Sequence, residues 1–200
     1  MCPDCAAESR DPADRRFHAQ PVACAACGPQ LWLGHDADVI ARAAARLLAG
    51  EILAVKGLGG FHLCCDATNP AAIDTLRHRK NRPTKPLALM AHWDDLGAHA
   101  TPTEAERNAL ASSAAPIVLL AHRGTLPESI APGQDRLGWM LPYTPLHHLL
   151  LDIVRRPLVM TSGNLSGEPQ VIGNDEAAEK LGGIADGILS HTRDTARRLD

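Results

Sequence analysis

Four cysteines are arranged as two Cys-x-x-Cys pairs, Cys2 with Cys5 and Cys24 with Cys27, separated by 18 residues. Two such knuckles offer four thiolates to one tetrahedral Zn(II) ion, each sulfur about 2.3 Å from the metal. Gly28, directly after the last pair, suits the tight turn that such knuckles use. Four protein ligands fill the coordination shell and leave no position for a catalytic water, so the expected role is structural. Disulfides would instead require an oxidising compartment. The N-terminus carries Cys, Pro and acidic residues where a secretory signal would place a basic and then an apolar stretch. A cytoplasmic location is therefore expected, and with it metal rather than disulfide. Residues 1–35 show no helical or strand periodicity and read as a module ordered by the ion rather than by a core. Cys64 and Cys65 lie in an apolar run and read as small buried side chains.

From Ala37 the texture changes. Asp36 or Asp38 is placed to cap a helix reaching about Ala49, with Val39, Ile40, Ala43 and Leu47 on one face and Gly50 as its stop. Ile52–Val55 reads as a buried strand. Asn69 caps a helix from Pro70 to about Arg79, and Leu87–Met90 is a short strand. Thr103-Glu-Ala-Glu106 has capping-box spacing and opens a helix to about Leu110. Ile117–Leu120 and Leu137–Leu141 read as strands. Thr144 and Pro145 start a helix over Leu146–Val154, with Leu149, Leu150 and Ile153 expected inward. Leu158–Met160 is a strand, Asn174 caps a last helix to about Leu181, and Ile188-Leu189 is a further strand. Alternating short strands and helices specify an α/β domain over residues 36–200.

Three polar segments sit where these elements end. Lys56-Gly-Leu-Gly-Gly-Phe-His62 has glycines that let backbone amides approach an anion, though a plain turn fits the same residues and no Walker A pattern follows. In Arg77–Pro86, six of ten residues are potentially cationic. That segment reads either as a phosphate clamp or as a solvated basic helix end. Thr161-Ser-Gly-Asn-Leu-Ser166 follows a buried strand, where α/β domains place binding crevices; a hydroxyl-rich turn is the simpler reading. His147 and His148 read as surface and interior positions of the Thr144 helix.

Together these segments resemble the HypF family of hydrogenase-maturation carbamoyltransferases. The resemblance is carried by Cys2-Pro-Asp-Cys5, Cys24-x-x-Cys-Gly-Pro29, Lys56–His62, Cys65-Asp-Ala67, Arg82-Pro-x-Lys-Pro-Leu87, Met140–His147 and Thr161–Gly167. It implies a YrdC-like open, twisted, mixed sheet with helices, an α/β fold preceded by a small four-cysteine zinc knuckle. The Lys-x-Arg and Ser-x-Asn set of YrdC-like domains falls on Lys80, Arg82, Ser162 and Asn164, which the resemblance makes catalytic. Lys56, Gly59, Gly60, His62 and Thr161 join Ser162 and Asn164 as nucleotide- or substrate-binding candidates. The implied reaction is formation of carbamoyl-adenylate from carbamate and ATP with Mg(II). In the family an acylphosphatase-like domain supplies carbamate from carbamoyl phosphate, and a C-terminal transferase domain passes the carbamoyl group to the C-terminal cysteine of HypE, for the cyanide ligands of [NiFe]-hydrogenase. Both domains are expected to lie outside this chain.

The rival enzyme reading is a threonylcarbamoyl-adenylate synthase acting in tRNA modification, against which the zinc quartet argues. A third reading is a double-stranded RNA-binding module. The formal charge of -3 argues against it, although a local basic groove stays compatible with that total. The apolar runs fall far short of the roughly 20 residues that span a bilayer, so no membrane partner is expected.

Overall fold

The structure is a computed structural model that describes residues 1–34 and 38–199. The chain divides into two compact units, Met1–Leu31 with His191–Arg193, and Trp32–Ser190 with Asp194–Asp200.

The smaller unit contains one helix, α1 (Pro3–Arg10), where sequence periodicity predicts none. The reason is local. Pro3 occupies the first turn, Asp4 and Arg10 sit at the ends that suit their charges, and Cys5 is the only side chain buried. A helix that buries one residue has no apolar stripe to detect. Two Asx turns, at Asp11 and Asp14, organise the loop that follows.

The remaining elements are β1 (Leu31–Trp32), α2 (Val39–Leu48), β2 (Leu53–Lys56), β3 (Phe61–Asp66), α3 (Pro70–Lys80), β4 (Leu89–Met90), α4 (Trp93–Leu96), α5 (Glu104–Leu110), β5 (Val118–Ala121), β6 (Arg136–Met140), α6 (Pro145–Val154), β7 (Leu158–Ser162), α7 (Asn174–Leu181) and β8 (Gly187–His191). The sheet is mixed, with strand order β1-β8-β2-β3-β7-β4-β6-β5. β2 runs parallel to β8 and antiparallel to β3, and β3 runs antiparallel to β7. The carboxyl ends of β2 and β7 therefore meet the start of β3 at one end of the sheet.

Capping explains the helices that sequence locates well. Asn69 Oδ1 accepts from the amides of Ala71 and Ala72 at the start of α3. Thr103 and Glu106 complete a reciprocal capping box on α5, and Thr144 Oγ1 accepts from His147 N on α6. Gly50 follows α2 at φ +90°, where a side chain would be strained.

Several expectations are corrected. Asp38 stands at the N-cap of α2 but makes no side-chain capping bond; Asp36 lies outside the described residues. On α6 the inward residues are Leu146, His147, Leu150, Leu151 and Val154, while Leu149 and Ile153 are about half exposed, at 49% and 47%. Only Leu150 of the predicted trio is inward, because a nearly all-leucine helix does not reveal its phase. Gly173, not Asn174, is the N-cap of α7. The sequence pattern does not predict β3. Its run Phe-His-Leu-Cys-Cys-Asp is covered on both faces and so has no alternation.

The core joins both faces of this sheet: Ile52, Phe61, Leu63, Ile73, Leu76, Leu89, Leu120, Trp139 and Val159 are wholly buried, as are Cys64 and Cys65. Among the described residues no helix is long and apolar enough to cross a membrane.

Candidate functional site

The four cysteines of the knuckles converge, their sulfurs all within 4.8 Å of one another. Neighbouring separations are 3.6 Å for Cys2–Cys24, 3.7 Å for Cys5–Cys27 and 3.9 Å for Cys24–Cys27. A tetrahedron with metal–sulfur bonds of about 2.3 Å has edges of about 3.8 Å, so the donor set fits Zn(II). The turn after Cys24 explains Gly28. Its amide donates to Cys24 O at 2.6 Å, and a Cβ there would approach the same carbonyl to 2.8 Å. Backbone amides, that of Cys24 foremost, hold the Cys27 thiol down at about 6, whereas burial foremost pushes the Cys5 thiol up to about 12.

In the larger unit, Lys80 closes α3 with its head buried against the turn after β7. Its Nζ donates to Ser162 O and Asn164 O, both at 2.6 Å, and to Asn164 Oδ1 at 2.7 Å. All three ammonium protons are thus used. Ser162 Oγ donates to Asn164 Oδ1 at 2.8 Å, and Asn164 Nδ2 donates to Glu168 O. Gly163 is locked to Phe61, with its amide on Phe61 O at 2.6 Å and no room for a Cβ. The four residues Lys80, Arg82, Ser162 and Asn164 therefore form one bonded assembly, except that Arg82 reaches it only through a 3.5 Å approach to Thr161 Oγ1.

Arg77 stabilises the basic loop from inside. Its guanidinium donates to the carbonyls of Arg82, Pro83, Lys85, Ser129 and Ile130, so it is a structural residue. Arg79 is paired with Asp186 at 2.8 Å. Arg82 donates to Pro86 O and keeps most of its charge uncompensated, and Lys85 is exposed. Burial, then Arg82 and then Lys85, lower the Lys80 ammonium to about 8. Among the described residues none of these three cations has a carboxylate partner. A groove of about 280 Å³, lined by Arg77, His78, Asn81, Arg82 and Pro83, opens beside them. A larger groove of about 420 Å³ lies along α2, but its Arg46 is neutralised by Glu51 at 2.7 Å.

The glycine loop is less open than its sequence suggests. Gly57 N donates to Gly60 O, and side chains at Gly59 and Gly60 would collide with Leu199 and with Gln170 and Val171. Lys56 is buried, its Nζ donating to Asn174 Oδ1 at 2.8 Å. Strand register separates Lys56 from His62. Lys56 pairs with Phe61 and shares a face with Thr161, whereas His62 pairs with Ser162 on the opposite face.

On that second face α6 brings His147 to His62. His62 Nε2 lies 3.0 Å from Tyr143 Oη, and the His147 ring stands edge-on to Tyr143 with centroids 4.6 Å apart. Burial holds the His62 imidazole down at about 4; burial, then the nearby His62 and His148, holds His147 at about 3. Both are neutral at physiological pH. The sequence does not single out Tyr143 or His147 as site residues, although both lie in the Met140–His147 run. The expectation that His147 faces outward and His148 inward is corrected: His147 is 0% exposed and His148 is exposed, because a nearly all-leucine helix does not reveal its phase.

A family profile described as HypF finger matches residues 1–33, and the profile of the Sua5/YciO/YrdC group, described as Telomere recombination, matches residues 45–200. The chain belongs to the Sua5/YciO/YrdC family. Within that family it is of the HypF kind, as the finger in front of the YrdC-like sheet indicates. It is 64% identical to carbamoyltransferase HypF of Rhodobacter capsulatus over 205 residues, covering 100% of this chain and 28% of that protein. A full-length HypF crystallised in the phosphate- and nucleotide-bound form superposes with a TM-score of 0.93 at 46% identity, over 100% of this chain and 27% of the other. Threonylcarbamoyl-AMP synthase of Vibrio campbellii is 27% identical over 143 residues, 68% of this chain and 77% of that protein. The HypF-kind chain thus spans little more than a quarter of the first of these relatives.

Proposed function

We propose that residues 36–200 form a domain that makes carbamoyl-adenylate from carbamate and ATP, and that residues 1–35 are a module ordered by structural Zn(II). The observation that carries the first part is the convergence of Lys80, Arg82 and Lys85 without a carboxylate beside the Ser162–Asn164 turn. Like charges held together in a partly desolvated place favour a polyanion such as the ATP phosphates, accompanied by Mg(II). In the reaction a carbamate oxygen attacks the α-phosphorus, the bond to the bridging oxygen breaks, and pyrophosphate leaves. Arg82 and Lys85 neutralise the phosphate charge that accumulates, and the Ser162 hydroxyl and Asn164 amide, fixed by Lys80, orient the reactants. Lys56, Gly59, Gly60, His62 and Thr161 shape the surroundings of that turn. Exclusion of water matters because carbamate and its adenylate both decompose in it.

Supply of carbamate from carbamoyl phosphate and transfer to HypE fall to the acylphosphatase-like and C-terminal transferase domains of HypF proteins. The test is pyrophosphate release by the chain with ATP, Mg(II) and ammonium bicarbonate. Release that depends on both ammonia and bicarbonate, and falls at least tenfold in Arg82→Ala, is expected. Release that requires threonine instead would favour the threonylcarbamoyl reading, which the 27% identity to such a synthase supports.

A further inference from the structure

We propose that His62, Tyr143 and His147 form a pocket that recognises the carbamoyl group of the acyl substrate through its alternating hydrogen-bond donor and acceptor. The inference rests on the adenylation reading for its substrate, and on separate observations for its place. A neutral imidazole carries one N–H donor and one lone pair. His62 Nε2 uses one of these on Tyr143 Oη. His62 Nδ1 and both nitrogens of His147 are buried without a partner, and His147 is 0% exposed. Buried polar atoms are nearly always bonded, so two histidines with three idle nitrogens are out of keeping with a purely structural cluster.

The three groups lie in the right place. His62 is the register partner of Ser162, so the cluster is one strand away from the turn held by Lys80. Tyr143 is the residue before the cap of α6, and His147 lies in its first turn. His62 and Tyr143 are partly exposed, and His147 beside them is buried.

The chemistry selects the ligand. Histidines that stay uncharged attract a simple anion weakly, in contrast to Arg82 and Lys85 on the other side of β7. A carboxylate offers acceptors only and leaves each imidazole lone pair idle; an ammonium offers donors only. A carbamoyl group is planar, with N–H donors beside a carbonyl acceptor, and satisfies a lone pair and an N–H together. The Tyr143 hydroxyl, which donates or accepts, sets the tautomer of His62 accordingly.

The experiment uses the whole chain with ¹⁵N-labelled histidine and follows the ring nitrogens by NMR. The probes are methyl carbamate and methyl acetate, which share size and charge but differ in the amino group. Saturable shifts of the His62 and His147 nitrogens with methyl carbamate are expected, with methyl acetate about tenfold weaker. In His147→Leu the His62 signals remain as reporters, and their response should weaken by a similar factor while the melting temperature holds or rises. Tyr143→Phe is a second variant, less exposed to misfolding, and should weaken methyl carbamate in the same way. Unmoved ring nitrogens, or equal responses to the two probes, would overturn the proposal. Pyrophosphate release measured on the same samples keeps the readings apart. Shifts without release would remove the adenylation reading and leave the pocket, whereas release without shifts would remove the pocket alone.

Discussion

Acid should destabilise the larger unit through His62 and His147 more steeply than its carboxylates alone would. An unfolded histidine titrates near 6.5, but the folded chain holds these two at about 4 and about 3. Between those values the unfolded state binds more protons, so stability rises with pH there and is lost as the pH falls below 6.5. Going from pH 7 to pH 5, each histidine gives the unfolded chain about 2 kcal/mol, or about 4 kcal/mol for the pair. That is a large share of the roughly 5–15 kcal/mol by which domains are stable. The groups facing the pair are Tyr143 and His148, neither of which is an acid that could hold an imidazolium in place. His147→Leu removes one of the two, and leucine fills the same interior position without idle nitrogens. Urea unfolding of wild type and variant, followed by tryptophan fluorescence at pH 7, 6 and 5, isolates the histidine because contributions from the thiols and carboxylates cancel in the difference. The variant should lose about 2 kcal/mol less than wild type over that range. Parallel pH profiles for the two proteins would refute the reasoning, since His147 would then titrate alike in both states.

Purified chain should contain one zinc per molecule by metal analysis, and Cys24→Ser should lose most of it; chelation should unfold the segment around α1 while leaving the sheet's signal intact. Arg82→Ala should weaken ATP binding about tenfold in calorimetry, and the gap to wild type should narrow as salt is added, because the lost contribution is charge attraction. Lys80, lowered to about 8, should regain its proton when an anion arrives. ATP binding near pH 8.5 should therefore take up a proton, seen as buffer-dependent binding heat, and affinity should fall as pH rises past 8. Identical heats in buffers of different ionisation enthalpy would count against that assignment.

The parts of this fold that are legible in the sequence are those fixed by local chemistry. Asn69 with Pro70, Thr103 with Glu106, and Thr144 with Pro145 each satisfy helix-end amides over a few residues, so their helices are found within a residue or two. The cysteine quartet is likewise written in spacing. What stays hidden depends on distant partners. β3 lacks alternation because neighbours cover both of its faces, and the phase of α6 is set by its packing against α2 rather than by its leucines. The basic loop is legible as a cluster of charge but not as a division of labour. Sequence does not distinguish Arg77, whose donors are consumed by five carbonyls, from Arg82, which makes one close bond to Pro86 O and only 3.5 Å approaches to Lys85 O and Thr161 Oγ1.

That division bears on how the site works. Lys80 has the highest desolvation cost of the three converging cations, and its three protons go to Ser162 O, Asn164 O and Asn164 Oδ1. A deprotonated amine has only two protons and cannot make all three bonds, so the ammonium form holds the turn together even as burial and its cationic neighbours oppose it. An anion placed near Arg82 and Lys85 relieves that opposition without touching Lys80. Ligand binding and rigidity of the Ser162–Asn164 turn are then linked by one proton. The fold tolerates the repulsion because Arg77, buried beneath the loop, fixes the backbone through Arg82–Lys85 carbonyls and prevents the cations from swinging apart. Charge at this end of the sheet is therefore preorganised: the loop is held by bonds that do not involve the ligand, and the Arg82 and Lys85 side chains that meet it have no carboxylate partner among the described residues.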